Sequence, residues 1–366
     1  MVGLINSFTD NDKYIEINKR ISNDMKIALD CILKHYKNEP IAILLVGGYG
    51  RDEGSWYKNK EGKWQPYNDY DFVVVSKEEI SRDEYDLLRK EIANLVGIRW
   101  IDIDFYNPQY FYHLLPTIKN VDMVYASKIL FGDNDFLNNI SVNASKISKA
   151  DILKLHMTRI WTFLGSWEGE FHDLSEEESR YFKNQMSKAI FAAADMYLVR
   201  KHMYQPSYRK RAELIHNLGI KDDDLCRMID WALAEKLEPS TECLDKQKMQ
   251  QLYMVTRKIY LTAISNTAKI MQFCLKHKLT GYVYIFLHSK YLFHLIKDTF
   301  KKEVYSIKVL DVFFAQNYLF YAYDSKCEMF LLDKAMKIMK KWGYINSSNI
   351  SWNSLREKAA YARNNI

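Results

Sequence analysis

Three stretches decide how this chain folds: Ile41–Ser55, I-A-I-L-L-V-G-G-Y-G-R-D-E-G-S; Asn68–Val75, N-D-Y-D-F-V-V-V; and Arg99–Tyr106, R-W-I-D-I-D-F-Y. Each holds a short apolar run of strand length with a special feature at one edge. The first ends in Gly47-Gly48, the second carries Asp69 and Asp71, and the third carries Asp102 and Asp104. Alternate residues of a strand point the same way, so each aspartate pair shares a face, with Tyr70 on the other side.

On neighbouring strands, three or four of these carboxylates converge. Two unit charges 4 Å apart repel by about 4 kcal/mol at an effective dielectric near 20. Such a cluster is costly unless cations sit in it, and hard oxygen ligands in that number suit Mg²⁺ or Mn²⁺. Asp residues at strand ends are often turn formers, which fits Asn68-Asp69. Asp71, Asp102 and Asp104 instead lie inside strands, where aspartate is disfavoured. The Gly-Gly turn lets backbone N–H groups approach a phosphate, with Arg51 and Ser55 in reach of the same place. A phosphate cradle beside metal carboxylates means phosphoryl or nucleotidyl transfer.

Working outward, residues 10–36 read as a helix, with Ile15, Ile17, Ile21, Met25, Ala28, Ile32 and Leu33 recurring mostly at three- and four-residue steps. Residues 56–67 are polar, with Gly62 and Pro66, and read as a hairpin or loop ahead of the second strand. Ser81 with Glu84 is a capping-box signature, Leu87, Leu88, Ile92 and Leu95 form the stripe that follows, and Gly97 is placed as the stop. The order helix, strand, strand, helix, strand predicts a small α/β unit with a mixed sheet covered on one side by helices. Strand signals fade after Gln109, and residues 131–135 form a turn cluster.

From about Ser148 the chain reads as helical. Segments are expected at 152–167, 175–202, 208–218, 223–236, 245–277, 283–298, 301–323 and 328–342, with a polar tail that frays from 359 to 366. The expected division is an α/β domain over 1–145 and an all-α helical bundle over 146–366, with a possible subdivision near 240. Lys188 and Asp195 lie seven apart, on one face of their helix and away from its Phe182–Ala193 stripe. That face either lines a cleft or is simply solvated. Tyr204 and Tyr208, around Pro206, either wall a pocket or pack.

The motif G-G-Y-G-R, followed by D-Y-D on an apolar strand and by a further strand carrying Asp102 and Asp104, resembles the polymerase-β-like nucleotidyltransferase superfamily. It is most similar to the bacterial branch that includes antibiotic nucleotidyltransferases. The resemblance covers roughly the first 140 residues, and Lys183–Arg209 is similar to that branch's helical C-terminal domain. It implies that Gly47 and Gly48 form the phosphate turn and that Asp69 and Asp71 bind both metals. Asp102 or Asp104 supplies the third carboxylate, which binds one metal and serves as or assists the general base, and the two are not separated by sequence. It also implies that Lys188 reaches toward the triphosphate. Two departures stand out: Gly48 replaces the commoner Ser, and residues 50–68 make a longer loop than usual. Arg211 and His216 have the R-x4-H spacing of HEPN ribonucleases, but Ala212 stands where a polar residue is usual, and such spacings arise easily by chance.

Composition sets the outer limits. The 366 residues carry a net charge of +6, nearly half are hydrophobic, and Gly (13) and Pro (6) are scarce, which favours long helices. Lys and Arg are scattered rather than clustered, which argues against a long nucleic-acid partner. Five cysteines, Cys31, Cys226, Cys243, Cys274 and Cys327, form no CxxC pair and read as reduced thiols. His156, His172 and His202 have no metal spacing. The opening residues do not read as a signal peptide, and residues 282–300 are broken by His288, Lys290 and His294, too polar to span a bilayer. The expectation is a cytoplasmic, Mg²⁺-dependent enzyme moving a nucleotidyl group, AMP from ATP before other NTPs, to a small-molecule hydroxyl. A protein acceptor, signal-nucleotide synthesis and non-catalytic nucleotide binding are the competing readings.

Overall fold

The computed structural model describes residues 15–36, 38–59, 61–220, 223–267, 307–322, 328–346 and 350–364. The chain forms two compact units, one comprising Met1–Ile147, Lys201–Gly219 and Leu233–Ser240, the other Ser148–Arg200, Ile220–Ala232 and Thr241–Ile366.

The first unit is built on a four-stranded mixed sheet. Helix α1 (Ile15–Lys34) leads to strand β1 (Ala42–Val46) and the single helical turn α2 (Gly47–Gly50). Strands β2 (Trp56–Lys58) and β3 (Trp64–Pro66) pair as a hairpin, the first of the two forms expected there. Strand β4 (Tyr70–Val75), helix α3 (Arg82–Val96) and strand β5 (Ile101–Tyr106) follow. With a last strand, β6 (Lys128–Gly132), the sheet order is β5-β4-β1-β6, with β4 and β5 parallel and β1 antiparallel to both its neighbours. A parallel pair needs a crossover, and α3 supplies it. Its ends are those read from sequence: Ser81 and Glu84 make both capping-box bonds, and Gly97 closes the helix at φ 68°.

The strand at the far edge, β6 (Lys128–Gly132), is a correction. Only Ile129, Leu130 and Phe131 mark it as apolar, and the turn cluster that follows masks it. Its strand character comes from pairing with β1, more than eighty residues earlier.

The residues of β1 alternate between two cores. Ile43 and Leu45 join Tyr70, Phe72, Val74, Ile101 and Ile103 against α1 and α3. Ala42 and Leu44 join Val73 and Val75 on the opposite face, under Phe111 and under Met123 of helix α4 (Ile118–Tyr125). A strand buried on both faces reads as a continuous apolar run, as 41–46 does.

The second unit is helical. The expected helix over 152–167 is two, α5 (Lys149–Arg159) and α6 (Trp161–Leu164). Helix α7 (Glu176–Arg200) packs against both and is buried on nearly every side from Ala189 to Val199. The open face expected for Lys188 and Asp195 is therefore not there: Asp195 is buried and Lys188 half-buried. A helix apolar all round is a central helix. Helix α8 (Tyr208–Asn217) belongs to the first unit, and α9 (Asp223–Leu237) runs from the second unit into the first. Then come α10 (Lys246–Thr267), α11 (Ile307–Ala322) and α12 (Glu328–Lys341), each within an expected segment; residues 268–277, 301–306 and 323 of those segments lie outside the described residues.

Of the residues expected to fray, 359–364 instead form the end of α13 (Trp352–Asn364), and 365–366 lie outside the described residues. Leu355, Ala359 and Ala362 are buried at helical spacing, and the small alanine side chains hide that stripe among polar residues. The expected helix at 283–298 and the apolar stretch 282–300 lie outside the described residues, as do Cys274 and Cys327. Cys31, Cys226 and Cys243 are free thiols. Among the described residues no helix is long and apolar enough to cross a membrane.

Candidate metal centre

The parallel register of β4 and β5 sets Asp71 directly beside Asp102. Asp69 projects from the same side two residues earlier. One ligand oxygen from each of Asp69, Asp71 and Asp102 can be chosen so that all lie within 4.8 Å of one another. Asp104 is aligned with Val73, two residues further along the strand. Its carboxylate pairs with Lys119 Nζ at 3.0 Å, and that ammonium lies 5.3 Å from the Tyr106 ring centre. The register thus separates two aspartates that sequence left equivalent.

Asp102 is held by two further side chains. Trp100 Nε1 donates to its Oδ1 at 2.7 Å, and Arg89 Nη1 lies 3.7 Å from the same oxygen. Burial lifts the Asp102 carboxyl above its ordinary pKa. The indole hydrogen bond and Arg89 oppose that rise, while the charges of Asp69 and Asp104 add to it.

Gly47 closes the site from β1. Val46 is opposite Asp71 in the antiparallel register, so α2 begins at the carboxylates. Gly47 has φ +68°, and a methyl group there would meet Asp71 Oδ2 at 2.1 Å. Glycine is therefore required twice, for the left-handed backbone and for the close approach of the carboxylate. The turn is pinned from below by Tyr49, fully buried, whose hydroxyl donates to Ser55 O at 2.8 Å. Its ring packs edge-on to Tyr70 at 4.9 Å between ring centres. Tyr70 in turn donates to Asp24 Oδ2 at 2.9 Å, and Asp24 also receives Arg20 Nε at 2.9 Å. The residue between Asp69 and Asp71 is thus anchored on the opposite face of the sheet.

The two side chains expected beside the phosphates are turned inward. Ser55 is fully buried; its hydroxyl accepts from Asn68 Nδ2 at 3.3 Å, and its carbonyl accepts from Tyr67 N at 2.8 Å. These bonds bring the ends of the 50–68 loop together, with the β2–β3 hairpin between them. Arg51 Nε lies 3.2 Å from Glu53 Oε2 and its Nη1 3.5 Å from Asp122 Oδ2, under the Tyr208 ring at 4.4 Å. Lys188 stands on α7 in the second unit, so the first unit does not bring it to this cluster.

Sequence reading missed what holds Arg51. Glu53 is almost fully buried and caps α8: its Oε1 accepts from Ser207 Oγ at 2.7 Å and Arg209 N at 3.1 Å, its Oε2 from Tyr208 N at 2.8 Å. A carboxylate there satisfies free backbone donors and faces the positive end of the helix. Tyr204, also buried, donates to Asp122 Oδ1 at 2.8 Å, so it packs rather than walls a pocket. Arg211 is buried over the Tyr208 ring at 4.6 Å and donates to Pro206 O at 2.5 Å. In the R-x4-H spacing, then, the arginine is structural. The only sequence signal for this clasp is an acidic residue after the Gly turn, with partners about 150 residues away.

No protein-family model matches the chain, and no curated protein matches it either.

Proposed function

We propose that this chain is a metal-dependent nucleotidyltransferase that moves a nucleotidyl group, AMP from ATP in the first instance, to the hydroxyl of a small acceptor. The observation that carries this reading is the trio Asp69, Asp71 and Asp102, gathered within 4.8 Å beside a glycine whose missing side chain leaves room for Asp71. Three carboxylates and no nitrogen or sulfur donor suit a hard divalent cation. Asp69, Asp71 and Asp102 would hold Mg²⁺ or Mn²⁺. Such an ion, when bound, offsets the charge of the triphosphate and polarises the reacting oxygens.

The chain's own part is positioning. Gly47 and Gly48 present backbone N–H groups with no side chain in the way, which suits the phosphates next to the trio. The bond that forms joins the acceptor oxygen to the α-phosphorus; the bond that breaks releases pyrophosphate; the acceptor's proton passes to Asp102. The scattered basic residues favour a small acceptor over a long polynucleotide.

The test is pyrophosphate release across the four NTPs with Mg²⁺ or Mn²⁺ and a panel of hydroxyl acceptors. Asp71→Asn is expected to abolish release while the circular dichroism and melting of the protein stay as in wild type. Full activity in that variant overturns the reading.

A further inference from the structure

Trp100 is one of the largest apolar side chains left on the surface, 47% exposed, and it stands two residues before Asp102. It is nevertheless held in place at two points. Its Nε1 donates to Asp102 Oδ1 at 2.7 Å, and the Arg89 guanidinium lies 4.2 Å from its ring centre. Arg89 itself is fixed, donating to Asp86 Oδ1 at 2.8 Å and lying 4.5 Å from the Tyr85 ring centre. One face of the indole is covered by a cation, one edge is tied to a carboxylate, and about half of the side chain is bare. An exposed indole gives up the burial that normally stabilises tryptophan. A rigid flat surface beside a reacting carboxylate recovers that loss when a ligand covers it, at little entropic cost.

Resting on the nucleotidyl-transfer reading above, we propose that the bare face of Trp100 is the platform on which the acceptor's ring stacks, and that the acceptor is a neutral hydroxylated ring, a sugar. The platform adjoins Asp102, the carboxylate that takes the acceptor's proton, so a ring lying on it brings its hydroxyls to the trio. The neutral character follows from Arg89. A guanidinium already draws on the π-density from the covered face, which weakens the attraction of the bare face for a second cation. The C–H face of a sugar needs no such charge, and its hydroxyls leave the Asp102–Trp100 hydrogen bond undisturbed.

Saturation-transfer NMR on the full chain, with Mg²⁺ and α,β-methylene ATP, tests this without turnover. The probes are methyl glucoside, methyl galactoside, sucrose and lactose, with kanamycin as the cationic comparison and adenosine as a flat nucleoside. Ring C–H protons of at least one neutral glycoside are expected to receive saturation in wild type. Trp100→Ala is expected to weaken that binding about tenfold, whereas Trp100→Phe keeps it within about threefold because the ring remains while the Nε1 donor is lost. No glycoside signal in wild type, equal binding by Trp100→Ala, or a preference for kanamycin or adenosine each overturns the proposal. Because the readout needs no chemistry, a wild-type protein that binds a glycoside but releases no pyrophosphate from any NTP defeats the transfer reading alone.

Discussion

Replacing Gly47 with alanine tests the site at its tightest point. The new methyl would sit 2.1 Å from Asp71 Oδ2 and 3.0 Å from Asp71 Cγ. Ordinary contact begins near 3.4 Å, so the carboxylate must retreat by about 1.3 Å or the turn must shift by as much. Two costs follow. The left-handed backbone, φ +68°, strains any residue with a side chain by about 1–3 kcal/mol. The displaced Asp71 leaves a trio whose oxygens all lie within 4.8 Å, and a misplacement of about 1 Å at a reacting centre costs on the order of 100-fold in rate. Gly62 provides the control. It has φ +75° at the tip of the β2–β3 hairpin with nothing within 4 Å of where its methyl would lie, so Gly62→Ala carries strain without touching a carboxylate. Calorimetric titration with Mn²⁺, pyrophosphate release and urea unfolding, run on both variants, separate the two costs. Both are expected to lose comparable stability, and Gly47→Ala alone to lose metal affinity and activity. Wild-type Mn²⁺ affinity in Gly47→Ala, or an equal loss of Mn²⁺ affinity in both variants, refutes the reasoning.

The third carboxylate can be assigned by paired substitutions: Asp102→Asn is expected to cut metal-dependent pyrophosphate release at least 100-fold. Asp104→Asn, which removes only the half-exposed partner of Lys119, should stay within about threefold of wild type, and a reversed order would transfer the role to Asp104. Glu53→Ala removes the carboxylate that accepts from Tyr208 N and Arg209 N at the start of α8, where Ser207 Oγ still accepts from Lys210 N, and leaves the buried Arg51 short of one carboxylate. The expected loss is about 3–5 kcal/mol by urea unfolding, and a loss below 1 kcal/mol contradicts the clasp. His156 is buried between Tyr260 and Asn317, and burial lowers its pKa from 6.5 to about 4. Its neutral form is the folded one, so its contribution is complete above pH 6.5 and disappears as the pH falls toward 4, by about 3 kcal/mol. His156→Gln should flatten that part of the stability–pH curve relative to wild type; an unchanged slope rules it out.

The parts of this fold that were legible in sequence are those fixed by neighbours along the chain. The three apolar runs, the capping box at Ser81 and the stop at Gly97 each depend on residues within a few positions, and each is found where its pattern lies. The shared face of Asp69 and Asp71 follows from strand alternation alone. The choice between Asp102 and Asp104 does not, because it depends on the register of β5 against β4, a pairing between segments about thirty residues apart. Arg51 shows the same limit. Beside the Gly turn it reads as a phosphate ligand; its true partners include Asp122 and Tyr208, contacts that local spacing cannot carry. Strand β6 was hidden for a similar reason, since three apolar residues before a turn become a strand only when β1 is alongside.

The clasp on α8 also sets an order of events during synthesis. Arg51, Glu53 and Asp122 leave the ribosome well before Tyr204, Ser207, Tyr208 and Arg211, the groups that share their charge. At translation rates of about 5–20 residues per second, the stretch between Asp122 and Arg211 takes roughly 5–20 s to appear. For that interval the nascent sheet carries an arginine and two acids that lack their helical cover. A chain halted in that window presents them to whatever binds incomplete proteins, and completion of α8 withdraws them.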